Sequence, residues 1–257
     1  MAAASQIEVR VEDQIAWVTI NRPERMNALA KSTFVDLVQV SLALDLDPAV
    51  RVVVYRGAGE RAFSAGVDLK ELDAEGSMQH PMAGPARNLN EVVLEMAKPT
   101  IAAINGVAAG GGCELALACD IRIAAASARI GLPEARVGMG ANFGSAVLPL
   151  LIPRGAALEA LFTGELLGAQ EAHRLGLVNH VYDPAELMDQ AASLARKIAD
   201  NAPLSVQRMK AVAAKSIGLP TSAALRLSVG PNPYDSEDRR EGARAFVEKR
   251  KPDFQGR

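Results

Sequence analysis

The chain has 257 residues, of which 49% are hydrophobic and 23% charged, and this is the size and composition of one large globular domain. A net charge of −2 and an aromatic content of 4% argue against binding to nucleic acid or to an anionic membrane surface. The start of the chain lacks the basic residues and the long apolar run of a signal peptide.

Particular residues argue against a membrane span, a metal site and a disulfide bond. The longest apolar stretch, residues 101–119, contains Asn105, several glycines and Glu114, which a membrane span would expose to hydrocarbon. The three histidines form no HExxH motif and no cluster with cysteine, so the sequence predicts no metal site. Cys113 and Cys119 lie on different faces if their stretch is helical, so we expect reduced thiols and a cytoplasmic protein.

The first part of the chain alternates strands, turns and helices. Alternating apolar residues at 7–10 and 15–20 predict a β-hairpin, and Asn27 is predicted to cap a helix over residues 31–45. The elements predicted next are a strand over 50–55, a tight loop over 63–66, a turn into helix over 67–72, a mobile loop over 73–85, a helix over 88–96, a strand over 101–104, a helix over 112–119 and a strand over 121–124. This succession predicts a layered α/β core.

After about residue 183 the pattern becomes helical. Helices are predicted over residues 185–199, 204–216, 222–227 and 237–249, with glycine and proline between them. A helical tail of this size buries little apolar surface by itself. We therefore expect it to pack on the core or on another subunit.

Two glutamates twenty residues apart, Glu114 and Glu134, are the strongest chemical signal in the sequence. Glu114 follows a glycine triplet, and Glu134 lies three residues after Gly131. Two carboxylates beside glycine backbone can move protons on a carbonyl compound, because one takes a proton while the other, in its acid form, gives one. The small and apolar neighbours of Glu114 predict partial burial and a raised pKa. A lone glutamate in a first helical turn is usually solvated, so it is the presence of both glutamates that indicates a catalytic site.

Glycines near this pair predict a site for a developing negative charge. Gly111 has no Cβ, so a substrate carbonyl can approach its N–H at the start of a helix. This N–H would be one of the two donors of an oxyanion hole. Gly66 permits an unusual backbone angle that lets the Val67 N–H point outward, while Asp68 is predicted to cap the next helix. A close packing turn at Gly111 and an ordinary loop at Gly66 are the structural alternatives.

Residues 57–62 (GAGERA) match a dinucleotide-binding fingerprint after a strand. No helix follows directly, and no strand ending in an acidic residue lies about twenty residues further on, so we do not expect an NAD site. The basic run at residues 249–251 is typical of a solvated end.

Taken together, these residues resemble the enoyl-CoA hydratase/isomerase (crotonase) superfamily over nearly the full chain. The resemblance implies an α/β fold: a crotonase-like spiral of ββα units over residues 1–195, with a C-terminal helical region over 196–257 that builds trimers, often paired into hexamers. The matching stretches are residues 17–23 (WVTINRP), 27–29 (NAL), 62–69 (AFSAGVDL), 98–120, 131–134 (GLPE), 171–172, 176–179 (GLVN), 236–238, Gly242 and 246–252.

The resemblance also implies the chemistry of a hydro-lyase that works without a metal or redox cofactor on a coenzyme A thioester. Glu114 and Glu134 match the residues that hold and activate the added water, and Glu134 matches the proton donor to the α-carbon. Val67 and Gly111 match the two oxyanion-hole positions. The positions that match contacts with coenzyme A are Met26, Asn27, Ala28, Ser64, Ala65, Gly66, Asp68, Leu69 and Lys70, with help from Phe254 and the basic run of a neighbouring subunit.

Two stretches depart from the family pattern. Where the family usually has Pro-Gly-x-Gly-Gly, residues 139–145 read MGANFGS, which leaves the acyl specificity open and offers Asn142 for contact with the water or with a polar acyl group. Residues 230–233 (GPNP) stand where a helix usually continues. An enoyl-CoA isomerase, which needs only Glu134, and a non-catalytic protein that binds coenzyme A are the alternatives to a hydratase.

Overall fold

Two β-sheets organise the computed structural model, which describes residues 5–71 and 87–257. The six-stranded sheet has the order β1-β2-β3-β5-β7-β10, and the four-stranded sheet has the order β4-β6-β8-β9. The strands are β1 (Ile7–Glu12), β2 (Ile15–Ile20), β3 (Val52–Gly57), β4 (Ala62–Ser64), β5 (Thr100–Ile104), β6 (Val107–Ala109), β7 (Ile121–Ala125), β8 (Arg129–Gly131), β9 (Leu167–Gly168) and β10 (His180–Tyr182). The helices are α1 (Lys31–Leu46), α2 (Leu89–Glu95), α3 (Gly111–Ala118), α4 (Asn142–Leu151), α5 (Arg154–Thr163), α6 (Ala169–Arg174), α7 (Leu187–Ala199), α8 (Pro203–Lys215), α9 (Thr221–Ala224) and α10 (Glu237–Glu248).

The chain alternates between the two sheets, and this alternation produces a spiral. β3, β5 and β7 pair in parallel in the large sheet, and the strand that follows each of them, β4, β6 or β8, pairs in parallel in the small one. Each turn of the spiral therefore contributes one strand to each sheet. The predicted α/β spiral is confirmed, and it places the turn from β6 into α3 beside the end of β4.

The predicted hairpin is also confirmed. β1 and β2 pair antiparallel, with Ile7 opposite Ile20, and the tight turn between them has Asp13 and Gln14 at φ of 51° and 66°. β2 then pairs in parallel with β3, so the hairpin closes one edge of the large sheet. Ile20, Val53 and Tyr55 are fully buried between this sheet and the helices.

Several local predictions were wrong. Asn27 does not cap α1, which begins after Ala30; the Asn27 side chain is fully buried and its amide donates to the carbonyl oxygens of Ala58 and Ala62. The predicted loop over 63–66 begins as strand β4, because its residues pair with β6. Helices α4, α5 and α6 were not predicted, and α4 contains Pro149, which usually marks the end of a helix. The predicted mobile loop over 73–85, and residue 72 before it, lie outside the described residues.

The C-terminal part contains the four helices expected there. α7 buries the stripe of Leu187, Ala191, Ala195 and Ala199 against the large sheet, because residues four apart lie on one face of a helix. The domain boundary proposed after residue 195 falls inside α7 and stays a prediction. No helix in the described ranges combines the length and apolar character that a membrane crossing requires.

Candidate active site

A cavity of about 570 Å³ lies where helices α1, α2, α3 and α4 meet. Its wall contains both glutamates of the predicted pair, Glu114 and Glu134. The other predicted site residues in the wall are Val67, Gly111, Asp68 and Asn142. The remaining predicted contacts are described but do not line the cavity: Met26, Asn27, Ala28, Ser64, Ala65, Gly66, Leu69 and Lys70.

Glu114 extends from the first turn of α3 and is held by groups distant in sequence. Its Oε1 accepts a hydrogen bond of 2.9 Å from the Gly144 N–H in the first turn of α4, and its Oε2 lies 3.4 Å from Nδ2 of Asn90. Burial raises the pKa of the Glu114 carboxyl above its ordinary value, while the hydrogen bonds from Gly144, Phe143 and Asn90 oppose the rise. The carboxylate is thus partly desolvated but fixed in one orientation.

Glu134 lies in a short 3-10 helix, Pro133–Val137, and its carboxyl is less well satisfied. Its Oε2 is buried and has no hydrogen-bond partner among the described residues. Burial raises the pKa of Glu134 to about 7; its own backbone N–H opposes the shift, and the negative charge of Glu114 adds to it. A carboxyl group with this pKa exists in both protonation states near neutral pH, as a group that gives and takes a proton requires.

Backbone geometry positions two amides beside the glutamates. Gly110, the residue before α3, has φ of 54° and ψ of −128°, and Gly66 has φ of 87°, conformations that favour glycine. A Cβ on Gly66 would lie 2.6 Å from the Ala109 oxygen and 3.0 Å from the Gly111 nitrogen, so only glycine allows this approach. The N–H groups of Val67 and Gly111 donate to no other described residue.

The segment around Val67 is fixed by pairing with Leu29. The Leu29 N–H donates to the Gly66 oxygen at 2.7 Å, and the Asp68 N–H donates to the Leu29 oxygen at 3.0 Å. These bonds hold the neighbours of Val67 on both sides and leave its own N–H available. Val67 and Gly111 both line the cavity, and their role as an oxyanion hole stays a prediction.

The loop from Ser64 to Lys70 divides into packing residues and surface residues. Asp68 caps the following turn and pairs with Arg22 at 3.0 Å. Burial alone would raise the pKa of Asp68, but the hydrogen bond and charge of Arg22, with the N–H groups of the next turn, hold it below its ordinary value. The Ser64 side chain is buried, whereas Ala65, Leu69 and Lys70 are exposed.

Both cysteines are buried free thiols, and burial raises the pKa of each. Within the described ranges, three or more histidine, cysteine, aspartate or glutamate side chains are nowhere grouped to hold a metal ion.

Comparison with known proteins identifies the family of the chain. The family description "Enoyl-CoA hydratase/isomerase" matches residues 10–257. The chain belongs to the enoyl-CoA hydratase/isomerase family. It is 42% identical to an (E)-benzylidenesuccinyl-CoA hydratase of Thauera aromatica, over 97% of this chain and 99% of that protein. It is 37% identical to a crotonyl-CoA hydratase of Syntrophomonas wolfei, over 98% of both chains. The crystal structure of an enoyl-CoA hydratase from Bacillus anthracis superposes with a TM-score of 0.89 at 34% identity, covering 98% of this chain and 100% of that one.

Two residues that hold Glu114 in this member of the enoyl-CoA hydratase/isomerase family were not identified from the sequence. Gly144 lies in the atypical segment over 139–145, whose path the sequence did not predict. Asn90 lies in the first turn of α2, between the two residues of a capping box, Asn88 and Glu91. The Asn-x-x-Glu spacing is a sequence signal for a helix start, and it would have placed Asn90 in a fixed first turn.

Proposed function

We propose that this protein is an enoyl-CoA hydratase, which adds water across the 2,3 double bond of a 2-enoyl-CoA thioester. The observation that carries the proposal is the presence of two carboxyl groups with raised pKa, Glu114 and Glu134, in one cavity with Val67 and Gly111, whose amides have no partner in the described part of the chain. Each group has a separate task in hydration, and the identities with named hydratases support the same reaction.

The reaction begins with the thioester oxygen between the N–H groups of Val67 and Gly111. Water held by Glu114 and Glu134 attacks the β-carbon; its oxygen bonds to that carbon, and its proton passes to Glu114. The π electrons of the double bond move toward the thioester oxygen, where the two amides stabilise the enolate. Glu134 in its acid form then gives its proton to the α-carbon. Proton exchange with solvent after product release restores both glutamates.

The substrate is a coenzyme A thioester, and no further cofactor takes part. The segment over 26–28 and the loop from Ser64 to Lys70, of which Val67 and Asp68 line the cavity, bind the coenzyme A part. The acyl part enters a cavity whose apolar wall includes Phe34, Val38 and Phe143. The similar hydratases act on acyl groups as different as benzylidenesuccinyl and crotonyl, so family membership alone does not define the acyl group.

We further propose a cytoplasmic homotrimer or dimer of trimers. Large apolar side chains are exposed on α10 and near it, including Phe246 at 85%, Val247 at 79% and Tyr234 at 75%. Large apolar side chains exposed on a helical region favour contact with another subunit. The two buried free thiols suit a reducing compartment.

The purified protein should decrease the absorbance of the conjugated enoyl thioester when it is mixed with crotonyl-CoA. A panel of short, medium and branched 2-enoyl-CoA substrates then identifies the preferred acyl group. No absorbance loss with any member of the panel would contradict the proposed function.

A further inference from the structure

The cavity contains a buried amide that the mechanism above does not use. Asn90 is 7% exposed and lines the cavity together with both glutamates. Its place in α2 is fixed by the capping box on either side of it, in which the Asn88 oxygen accepts from the Glu91 N–H at 3.0 Å and the Glu91 carboxylate accepts from the Asn88 N–H at 2.8 Å. A polar side chain at a rigid, buried position needs partners for both ends of its amide.

Among the residues that the structure describes, one end of the Asn90 amide has such a partner and the other has none. Nδ2 points to Oε2 of Glu114 at 3.4 Å, which orients the amide. Oδ1 is buried and accepts no hydrogen bond from any described residue. A buried acceptor without a partner is energetically costly, so a hydrogen-bond donor that reaches this oxygen gains a favourable interaction.

Asn90 Oδ1 belongs to the same amide group whose Nδ2 contacts Glu114 Oε2. Two hydrogen-bond acceptors, Asn90 Oδ1 and the Glu114 carboxylate, are therefore close together in the cavity wall. A water molecule has two O–H groups and can donate one to the Glu114 carboxylate and the other to Asn90 Oδ1. With both hydrogens occupied, a lone pair of the water oxygen is left for the β-carbon. An amide oxygen is a very weak base, so the proton that leaves passes to Glu114 and not to Asn90.

We propose that Asn90 binds and orients the water that is added to the substrate, by accepting a hydrogen bond at Oδ1 while its Nδ2 fixes Glu114. The inference rests on the proposed hydratase function and adds to it a third residue at the nucleophile. A contact with a hydroxyl or amino group of the acyl chain is the competing use of the same oxygen, and the experiment below separates the two.

The test compares two reactions in Asn90→Leu, which removes both amide functions at similar volume, and in Asn90→Ala in case leucine is not accommodated. The first reaction is crotonyl-CoA hydration, which needs the positioned water. The second is exchange of the α-protons of butyryl-CoA with D2O, followed by NMR, which needs the oxyanion amides and Glu134 but no nucleophilic water. Asn201→Leu, an exposed amide at the end of α7 outside the cavity wall, is the control for purification and folding.

We expect kcat for hydration to fall at least about tenfold, the size of one lost hydrogen bond, with α-proton exchange and the KM for crotonyl-CoA within about twofold. A merely structural role would lower both reactions together. Unchanged hydration is what a contact with a polar acyl chain predicts, because the crotonyl group has no hydroxyl or amino group, and it would overturn the role in water binding. An equal loss of both reactions, or a raised KM with unchanged kcat, would overturn it as well. Exchange without hydration in the unmodified protein would instead overturn the hydratase function itself.

Discussion

Glu114 and Gly144 are thirty residues apart in the chain, yet the Gly144 N–H donates a hydrogen bond of 2.9 Å to Glu114 Oε1. The bond joins the first turns of α3 and α4 and directs the carboxylate into the cavity. Oε2 is left to face Asn90 and the space where water is needed. One backbone amide therefore determines which oxygen of Glu114 is directed toward Asn90.

Replacing Glu114 with glutamine should separate water addition from proton transfer at the α-carbon. The amide keeps the size of the side chain but cannot take a proton from water. We expect kcat for crotonyl-CoA hydration to fall at least about a hundredfold. Exchange of the α-protons of butyryl-CoA should continue, because it depends on Glu134. Full activity of Glu114→Gln in shifting the double bond of a 3-enoyl-CoA would favour an isomerase.

Replacing Glu134 with glutamine should abolish both reactions, because the α-carbon then has no proton donor or acceptor. We expect a loss of at least about a hundredfold in hydration and an equal or greater loss in α-proton exchange. The measurement is the same pair of assays, with binding of butyryl-CoA as the control for an intact cavity. If this variant hydrated crotonyl-CoA at a near-normal rate, Glu134 would not be the proton donor.

The raised pKa of Glu134 predicts opposite pH dependences for the two reactions. Hydration needs the acid form, so its kcat/KM should fall as the pH rises through about 7. Removal of an α-proton needs the base form, so exchange should increase over the same range. Because the charge of Glu114 contributes to raising the pKa of Glu134, both transitions should move to lower pH in Glu114→Gln. If the hydration rate and the exchange rate changed with pH in the same direction, the assignment of both proton transfers to Glu134 would be contradicted.

The same shift predicts how stability depends on pH in the absence of substrate. The pKa of Glu134 is about 7 in the folded protein and 4.5 in the unfolded chain. Its contribution to the free energy of unfolding is therefore complete at low pH and is lost as the pH rises through 7. Glu134→Gln should therefore gain stability relative to the unmodified protein between pH 5 and 8. Allowing for partial exposure, we expect a relative gain of about 1 kcal/mol, or roughly 2–4 °C in Tm. If Tm changed with pH in the same way for both proteins across this range, the raised pKa of Glu134 would be contradicted.

Gly66→Ala should damage activity beyond its effect on stability. Its Cβ would press on the Ala109 oxygen and the Gly111 nitrogen and would displace one amide of the oxyanion site. We expect hydration to fall about a hundredfold or more, the usual effect of losing one such donor. Gly218→Ala is the matched control, since Gly218 has φ of 78° and nothing within 4 Å of an added Cβ. Both variants should lose about 1–2 kcal/mol of stability to the left-handed backbone, and Gly66→Ala should lose more because of its close contacts, but only Gly66→Ala should lose activity.

The sequence predicted those parts of the fold that depend on local pattern. Strong alternation identified the β1–β2 hairpin, and the glycine triplet before Glu114 located the start of α3. Asn27 was misassigned because its amide bonds to Ala58 and Ala62, partners more than thirty residues away that no local rule reveals. Gly144 and Asn90 escaped notice for the same reason, since they reach Glu114 only through the packing of α2, α3 and α4.

The most direct test of the central claim is mass spectrometry of crotonyl-CoA after incubation with the protein in water enriched in oxygen-18. If Glu114 and Glu134 deliver water to a thioester bound in this cavity, the product is a 3-hydroxyacyl-CoA with one heavy oxygen at the β-carbon, formed at least about a hundredfold more slowly by either glutamine variant. Recovery of crotonyl-CoA unchanged, or of an isomer of the same mass, would contradict the account.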